Sequence, residues 1–193
     1  YELVDREGIK KILAEIEKIR KSEEEVKPKQ KEVKFPDDLF EVIYGFDDIK
    51  KVFRLALKSK EPVHILLIGP PGCAKTLFLL EIARLEGAYY ALGGSTSKAG
   101  LTSVLFQYQP RYLLVDEIDK MSPEDLTALL SLMETGVVKE TKYKRTREIR
   151  LKTWVFAAGN SDRNIPPELK SRFMIFYLPP YEKAVLLKVI EHV

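Results

Sequence analysis

Val63-His64-Ile65-Leu66-Leu67-Ile68 runs into Gly69-Pro70-Pro71-Gly72-Cys73-Ala74-Lys75-Thr76, and Leu77-Phe78-Leu79-Leu80-Glu81-Ile82-Ala83 follows at once. An apolar run, a glycine-bearing break and an apolar, helix-favouring segment read as strand, loop and helix. A loop of this kind wraps backbone N–H groups around a di- or triphosphate, and the helix N-terminus adds the positive end of its dipole. The lysine then reaches the outer phosphates and the threonine hydroxyl holds Mg²⁺. A chance match in an ordinary strand-to-helix turn would not need the flanking strand and helix found here. The usual pattern, G-x-x-x-x-G-K-[ST], has glycine before the lysine, where this chain has Ala74. A methyl group is tolerated there if φ is negative, as at the entry to a helix, and that is the expectation.

Two further strand ends carry chemistry. Tyr112-Leu113-Leu114-Val115 delivers Asp116-Glu117 to its C-terminal end, the rim at which ligands bind in open α/β sheets. Beside a phosphate loop, Asp116 would orient Mg²⁺ or its water ligands, and Glu117 would act as general base on an attacking water. Without that loop, the pair would read as an exposed acidic turn. Thr153-Trp154-Val155-Phe156-Ala157-Ala158 is another apolar strand, ending in Gly159-Asn160. An asparagine there can hydrogen-bond a γ-phosphate or the water, although asparagine also favours turns for its own local bonding.

The rest of the chain fills in around these strands. Residues 5–26 form one amphipathic helix, with Ile9, Ile12, Leu13, Ile16 and Ile19 on a narrow stripe that suits either the chain's own core or a neighbouring protein. Residues 27–34 are charged, contain Pro28 and read as a linker. The main domain starts near Phe35, and Tyr44-Gly45-Phe46 precedes a helix from Asp47 to Leu57 capped by Asp47 or Asp48. Ala88–Leu92 is a strand running into a polar, glycine-rich loop at residues 93–97. Ser122-Pro123-Glu124-Asp125 starts a helix whose buried face is Leu126, Leu129, Leu130 and Met133 and which stops at Gly136. Val137 to Leu151 is a basic segment whose Glu148-Ile149-Arg150-Leu151 alternates like the return strand of a β-hairpin. A short helix at residues 166–172 and a strand at residues 173–178 follow, and a further helix begins at Tyr181.

With 193 residues and 45% hydrophobic content, the chain can build one good-sized core plus an arm. No apolar run approaches the ~18 residues of a membrane span, and the first residues are no secretory leader. A single cysteine, Cys73, forms no internal disulfide, which fits a reducing, cytoplasmic setting; a small spacer role suits it better than redox sensing. The 22 Lys and 20 Glu against 2 Asn and 3 Gln match the usage of proteins from hot environments. Charge is uneven: residues 139–152 hold seven basic and two acidic side chains, so this segment is +5 and the rest of a +3 chain is −2. Such a run either faces water or meets an anionic partner.

The order of these motifs resembles the AAA+ ATPases. Gly69 to Thr76 is similar to Walker A, Leu113 to Glu117 to Walker B with its glutamate, Asn160 to sensor 1, and Arg172 in Leu169-Lys170-Ser171-Arg172-Phe173 to the arginine finger. The resemblance implies a P-loop NTPase fold, an α/β architecture with a five-stranded parallel sheet flanked by helices. It also implies a ring-shaped oligomer with ATP and Mg²⁺ at each subunit boundary. Catalysis would rest on Glu117, Lys75, Asn160 and a neighbour's Arg172. Nucleotide contacts would come from Gly69 to Leu77, with Tyr44, Gly45 and Phe46 as candidates for the adenine side, and Thr76 and Asp116 would take the metal. Ala74, residues 95–102, Asp116 to Met121 and the basic hairpin look like the MCM-type helicases; MoxR-type chaperone ATPases and Holliday-junction branch-migration motors share much of this. The hairpin's Lys142, Lys144, Arg145 and Arg147 would meet DNA, or a protein in a MoxR-like remodeller. The family's helical lid should follow Tyr181, and residues 182–193 hold only its beginning.

Overall fold

A computed structural model describes residues 35–142 and 145–181, without the side chains of residues 141–145. The expected N-terminal helix, the linker at 27–34 and the start of the lid lie outside the described residues. From Pro36 onward the chain forms one unit, built from α1 (Asp47–Lys58), β1 (Ile65–Ile68), α2 (Lys75–Ala83), β2 (Ala88–Leu92), α3 (Lys98–Tyr108), β3 (Tyr112–Asp116), α4 (Pro123–Thr135), β4 (Val137–Lys142), β5 (Arg145–Arg150), β6 (Trp154–Gly159), α5 (Pro167–Lys170) and β7 (Met174–Tyr177). Five strands make one sheet in the order β2-β3-β6-β1-β7, all pairings parallel, and β4 with β5 forms a separate antiparallel hairpin.

The three inner strands β1, β3 and β6 are buried along their whole length, which is why they read as unbroken apolar runs. Alternate residues serve opposite faces. On one side Phe156 stacks on Phe53 of α1 at 5.4 Å, Phe53 on Phe78 of α2 at 5.0 Å, and Phe40 closes the cluster at 5.6 Å from each of them. The Trp154 indole N–H donates to the Ala56 carbonyl at 2.9 Å, so this buried ring is also satisfied. On the other side Leu66, Ile68, Leu113, Val115, Val155 and Ala157 pack with Leu101, Leu105, Leu126 and Leu129 of α3 and α4.

Three expectations change. The sequence reading assigns no helix between β2 and β3, yet α3 is there; Ser97 caps it by accepting from the Gly100 N–H, and Leu101 and Leu105 are buried. Neither Asp47 nor Asp48 caps α1. Phe46 in the left-handed conformation (φ 54°) precedes it, and the two carboxylates lie in the first turn, favourable to the dipole. On α4, Leu132 is buried with Leu126 and Leu129, while Leu130 and Met133 are half-buried, because the hairpin base brings Val138 into the same cluster.

The hairpin leaves the domain through a narrow neck. Gly136 ends α4 at φ 68°, and the Leu151 N–H donates to its carbonyl at 2.7 Å. A Cβ on Gly136 would sit 2.5 Å from the Leu151 carbonyl oxygen, so only glycine fits.

The turn into α2 corrects the reading of Ala74. This residue caps the helix in the left-handed region, with φ 66° and ψ 9°, not at negative φ. The Phe78 N–H donates to its carbonyl at 3.2 Å, so the first helical hydrogen bond springs from a left-handed residue. The chain needs that conformation to turn the loop back over the sheet edge, and an L-residue held there costs roughly 1–2 kcal/mol. Replacing it by glycine relieves that strain at a backbone-entropy cost of about 0.5–1 kcal/mol. We expect Ala74→Gly to raise stability by about 0.5–1 kcal/mol, read as a higher midpoint in urea unfolding; a lower midpoint would contradict the left-handed assignment.

His64 sits before β1, buried, with Nδ1 accepting from the Val155 N–H at 3.1 Å and its ring edge-on to Phe173. Burial lowers its pKa from 6.5 to about 4. The unfolded chain therefore binds a proton that the folded chain rejects, and stability falls as pH drops from about 6.5 towards 4. The loss should reach about 3 kcal/mol at pH 4. Denaturant titrations across this range should show the slope in the native protein and a flatter one in His64→Gln.

Candidate nucleotide site

Because β1, β3 and β6 run parallel and lie side by side, their C-terminal ends share one edge of the sheet. In register, Ile68 pairs with Gly159, Val115 with Ala157, and Leu92 with Asp116. The loop after β1, the carboxylates after β3 and the asparagine after β6 thereby meet around one cleft of about 550 Å³. Residues 71–77, Asp116, Glu117 and Asn160 line it, together with three residues the sequence reading did not select, Leu92, Gly159 and Tyr181.

The loop is held from below. Gly69 donates to the Gly159 carbonyl at 3.3 Å, and a Cβ at Gly69 would lie 2.4 Å from the Leu178 carbonyl oxygen, so the chain after β7 clamps it. Lys75 is 7% exposed, and its ammonium donates to the carbonyls of Gly69 at 2.7 Å and Pro70 at 2.8 Å. The Cys73 thiol is fully buried and donates to the Pro70 carbonyl at 3.0 Å, as a small spacer within the loop would. The first residues of α2 point their N–H groups into the cleft, where an anion is favoured.

Asp116 accepts three hydrogen bonds in the cleft. Its Oδ2 accepts from the Thr76 hydroxyl and from the Tyr90 hydroxyl, each at 2.7 Å, and its Oδ1 accepts from the Glu117 N–H at 2.8 Å. Burial, and next the hydrogen bond to Asp116, push the Tyr90 phenol well above its ordinary pKa, so it stays a donor. Tyr90 was missed because β2 reads as a plain strand; only the pairing of β2 with β3 shows what its hydroxyl reaches. Glu117 adopts φ 54° and ψ 40°, a left-handed turn tucked over Gly93, where a Cβ would lie 2.4 Å from the Glu117 carbonyl oxygen. A residue strained in this way projects its side chain off the strand axis and into the cleft mouth. There the Glu117 carboxylate accepts from Lys120 at 2.6 Å. The hard-oxygen pair Thr76 and Asp116 suits Mg²⁺, which takes few protein ligands beside substrate phosphates and water.

The other selected residues are placed as follows. Tyr44, Gly45 and Phe46 do not line the cleft themselves but back it. The Tyr181 hydroxyl donates to the Tyr44 carbonyl at 2.9 Å, and the Phe46 ring lies 5.4 Å from the Tyr181 ring. Arg172 lies outside the cleft, half-exposed, donating to Glu134 Oε1 at 2.6 Å. Arg147 pairs with Glu140 and stands over the Phe106 ring at 5.2 Å, which fastens the hairpin to α3. The side chains of Lys142, Lys144 and Arg145 lie outside the described residues.

Among the described residues no helix is long and apolar enough to cross a membrane. Residues 65–181 match the profile of the ATPase family associated with various cellular activities (AAA), and residues 15–111 match the MCM P-loop domain. The chain is 31% identical to the minichromosome maintenance protein MCM of Saccharolobus solfataricus, over 70% of this chain and 26% of that protein. It is likewise 31% identical to the DNA replication licensing factor MCM7 of Arabidopsis thaliana, over 70% of this chain and 25% of the relative. With MCM5 of Oryza sativa subsp. indica the identity is 33%, over 61% and 20%. The chain thus spans about a quarter or less of the length of these relatives. With the phosphate loop, the strand-end carboxylates and the five-stranded order all in place, the chain belongs to the AAA family of ATPases and carries its MCM-type P-loop domain.

Proposed function

We propose that this chain hydrolyses ATP at the boundary between subunits of a ring and uses the cycle to drive a motor on DNA. The observation that supports the chemistry best is the 2.7 Å contact between Thr76 and Asp116 beside Glu117, at the mouth of a phosphate loop. Loop N–H groups and the α2 N-terminus would receive the phosphates, and Lys75 would exchange the carbonyls of Gly69 and Pro70 for the β- and γ-phosphate oxygens. Thr76 and Asp116 would hold Mg²⁺, which neutralises charge on the transferred phosphoryl group. Glu117, once free of Lys120, takes the proton of the attacking water, and Asn160 orients that water. Tyr181, backed by Phe46, would give the adenine an aromatic wall. Arg172 lies outside its own cleft, as a group supplied to a neighbour's site would.

The DNA reading draws on the basic hairpin and on relatives named as replication licensing factors. Lys142, Lys144 and Arg145 would meet phosphates, and Arg147, fastened to Glu140, would fix the direction of the arm while adding charge.

Glu117→Gln should lower ATP turnover by about 10²–10⁴-fold, the usual worth of a general base, with ATP affinity retained. Arg172→Ala should lower turnover of the assembled protein by about 10³–10⁵-fold. A monomeric sample that turned over ATP as fast as the assembly would rule out the finger. The decisive measurement is ATPase activity of the intact gene product with and without single-stranded and duplex DNA. Stimulation that vanishes when Lys142, Lys144, Arg145 and Arg147 are neutralised supports the motor. Duplex affinity should fall with salt at a slope near −0.9 per neutralised phosphate. No response to either DNA would replace the motor by a protein remodeller.

A further inference from the structure

Tyr89 and Tyr90 follow one another on β2, so their rings leave opposite faces of the sheet. Tyr89 lies against Tyr108 of α3, ring centroids 5.3 Å apart. Tyr90 reaches across to β3 and donates to Asp116 Oδ2 at 2.7 Å. An ionised carboxylate offers about four lone-pair sites. Three of those on Asp116 are filled, by the Glu117 N–H, the Thr76 hydroxyl and the Tyr90 hydroxyl. The Thr76 hydroxyl gives its proton to Oδ2 and keeps its own lone pairs for a second partner. The Tyr90 oxygen is carried at the end of a ring on β2, whose pairing with β3 sets where this donor stands.

We infer that Tyr90 is a positioning residue for the divalent cation: its hydroxyl pins the Asp116 carboxylate against Thr76, so that Asp116 acts on the cation through the Thr76 hydroxyl and bound water instead of turning to ligate it. This rests on the reading that Thr76 and Asp116 form the cation site. Mg²⁺ gives up water reluctantly, so a carboxylate that meets it through a bound water suits it. A group that orients a metal site from behind typically governs affinity for the metal by 10–100-fold. Its loss should leave the cation-independent part of nucleotide binding alone, because the loop N–H groups and Lys75 do not touch Tyr90.

The test is a binding titration of fluorescently labelled ADP to the intact protein, in EDTA and then across a Mg²⁺ series, for the wild type, Tyr90→Phe and Tyr89→Phe. Tyr90→Phe keeps the ring and removes only the hydroxyl. We expect its affinity in EDTA to equal that of the wild type, the Mg²⁺ concentration giving half the metal-dependent gain to rise by about 10-fold or more, and Tyr89→Phe to behave as the wild type. An unchanged Mg²⁺ midpoint in Tyr90→Phe, in a protein whose wild type shows the gain, overturns the role of Tyr90 alone. An equal loss in EDTA and in Mg²⁺ overturns it too, since it marks damage to the cleft at large. A wild type that binds the nucleotide without any Mg²⁺-dependent gain removes the cation-site reading first, and the proposal with it.

Discussion

The distance between β1 and β3 governs the site. These two strands carry the phosphate loop and the carboxylates, yet they are not neighbours, since β6 lies between them. With strands about 4.8 Å apart, the loop and the first turn of α2 must reach across about 10 Å of sheet edge before Thr76 can touch Asp116. The 2.7 Å bond between them is made only because the chain turns sharply after the loop. The left-handed Ala74 supplies that turn, and the clamp of Gly69 by the chain after β7 fixes where it begins. Insertion of β6 also brings Asn160 into the gap it creates, so one topological choice places three groups at once.

Electrostatics then divides the cleft into a rigid side and an adjustable side. Asp116 has three fixed donors and little freedom. Glu117 has one visible partner, Lys120, on an exposed pair, and such pairs contribute only about 0–1 kcal/mol. Lys75 likewise rests on two carbonyls that a phosphate, with its full charge, would outcompete. Asp116 and Lys75 are both buried and multiply bonded, so the contrast lies in what a bound phosphate could displace: the carbonyls on Lys75, not the donors on Asp116.

Much of this was legible in the chain. The inner strands were readable to within a residue or two, since burial on both faces leaves nothing but apolar side chains, and the hairpin was readable from its alternation. The helix α3 was hidden by Gly100 within its first turn and by the glycine-rich run before it, which together outweigh the signal of Leu101 and Leu105. Ala74 misled for a different reason: a residue next to a helix was assigned the helix's own dihedrals, whereas the cap lies outside it. Tyr90 and Tyr181 were beyond a sequence reading altogether. Nothing local distinguishes a tyrosine whose hydroxyl meets Asp116 from one packed in a strand, and only the strand order decides.

The narrow neck of the hairpin bears on mechanics. At the base of the arm the Leu151 N–H donates to the Gly136 carbonyl, the Ser131 hydroxyl donates to the Val137 carbonyl, and Arg147 over the Phe106 ring ties the arm to α3 as well. A load at the tip therefore has three routes inward: back along α4, sideways into α3, or forward into β6. The last is the stiffest, because β6 is hydrogen-bonded on both sides by β1 and β3 and extends little. It runs through the centre of the sheet and ends at Gly159, next to Asn160. The arm and the cleft thus lie at opposite ends of β6, with residues 151–153, which belong to no strand, joining the arm to it.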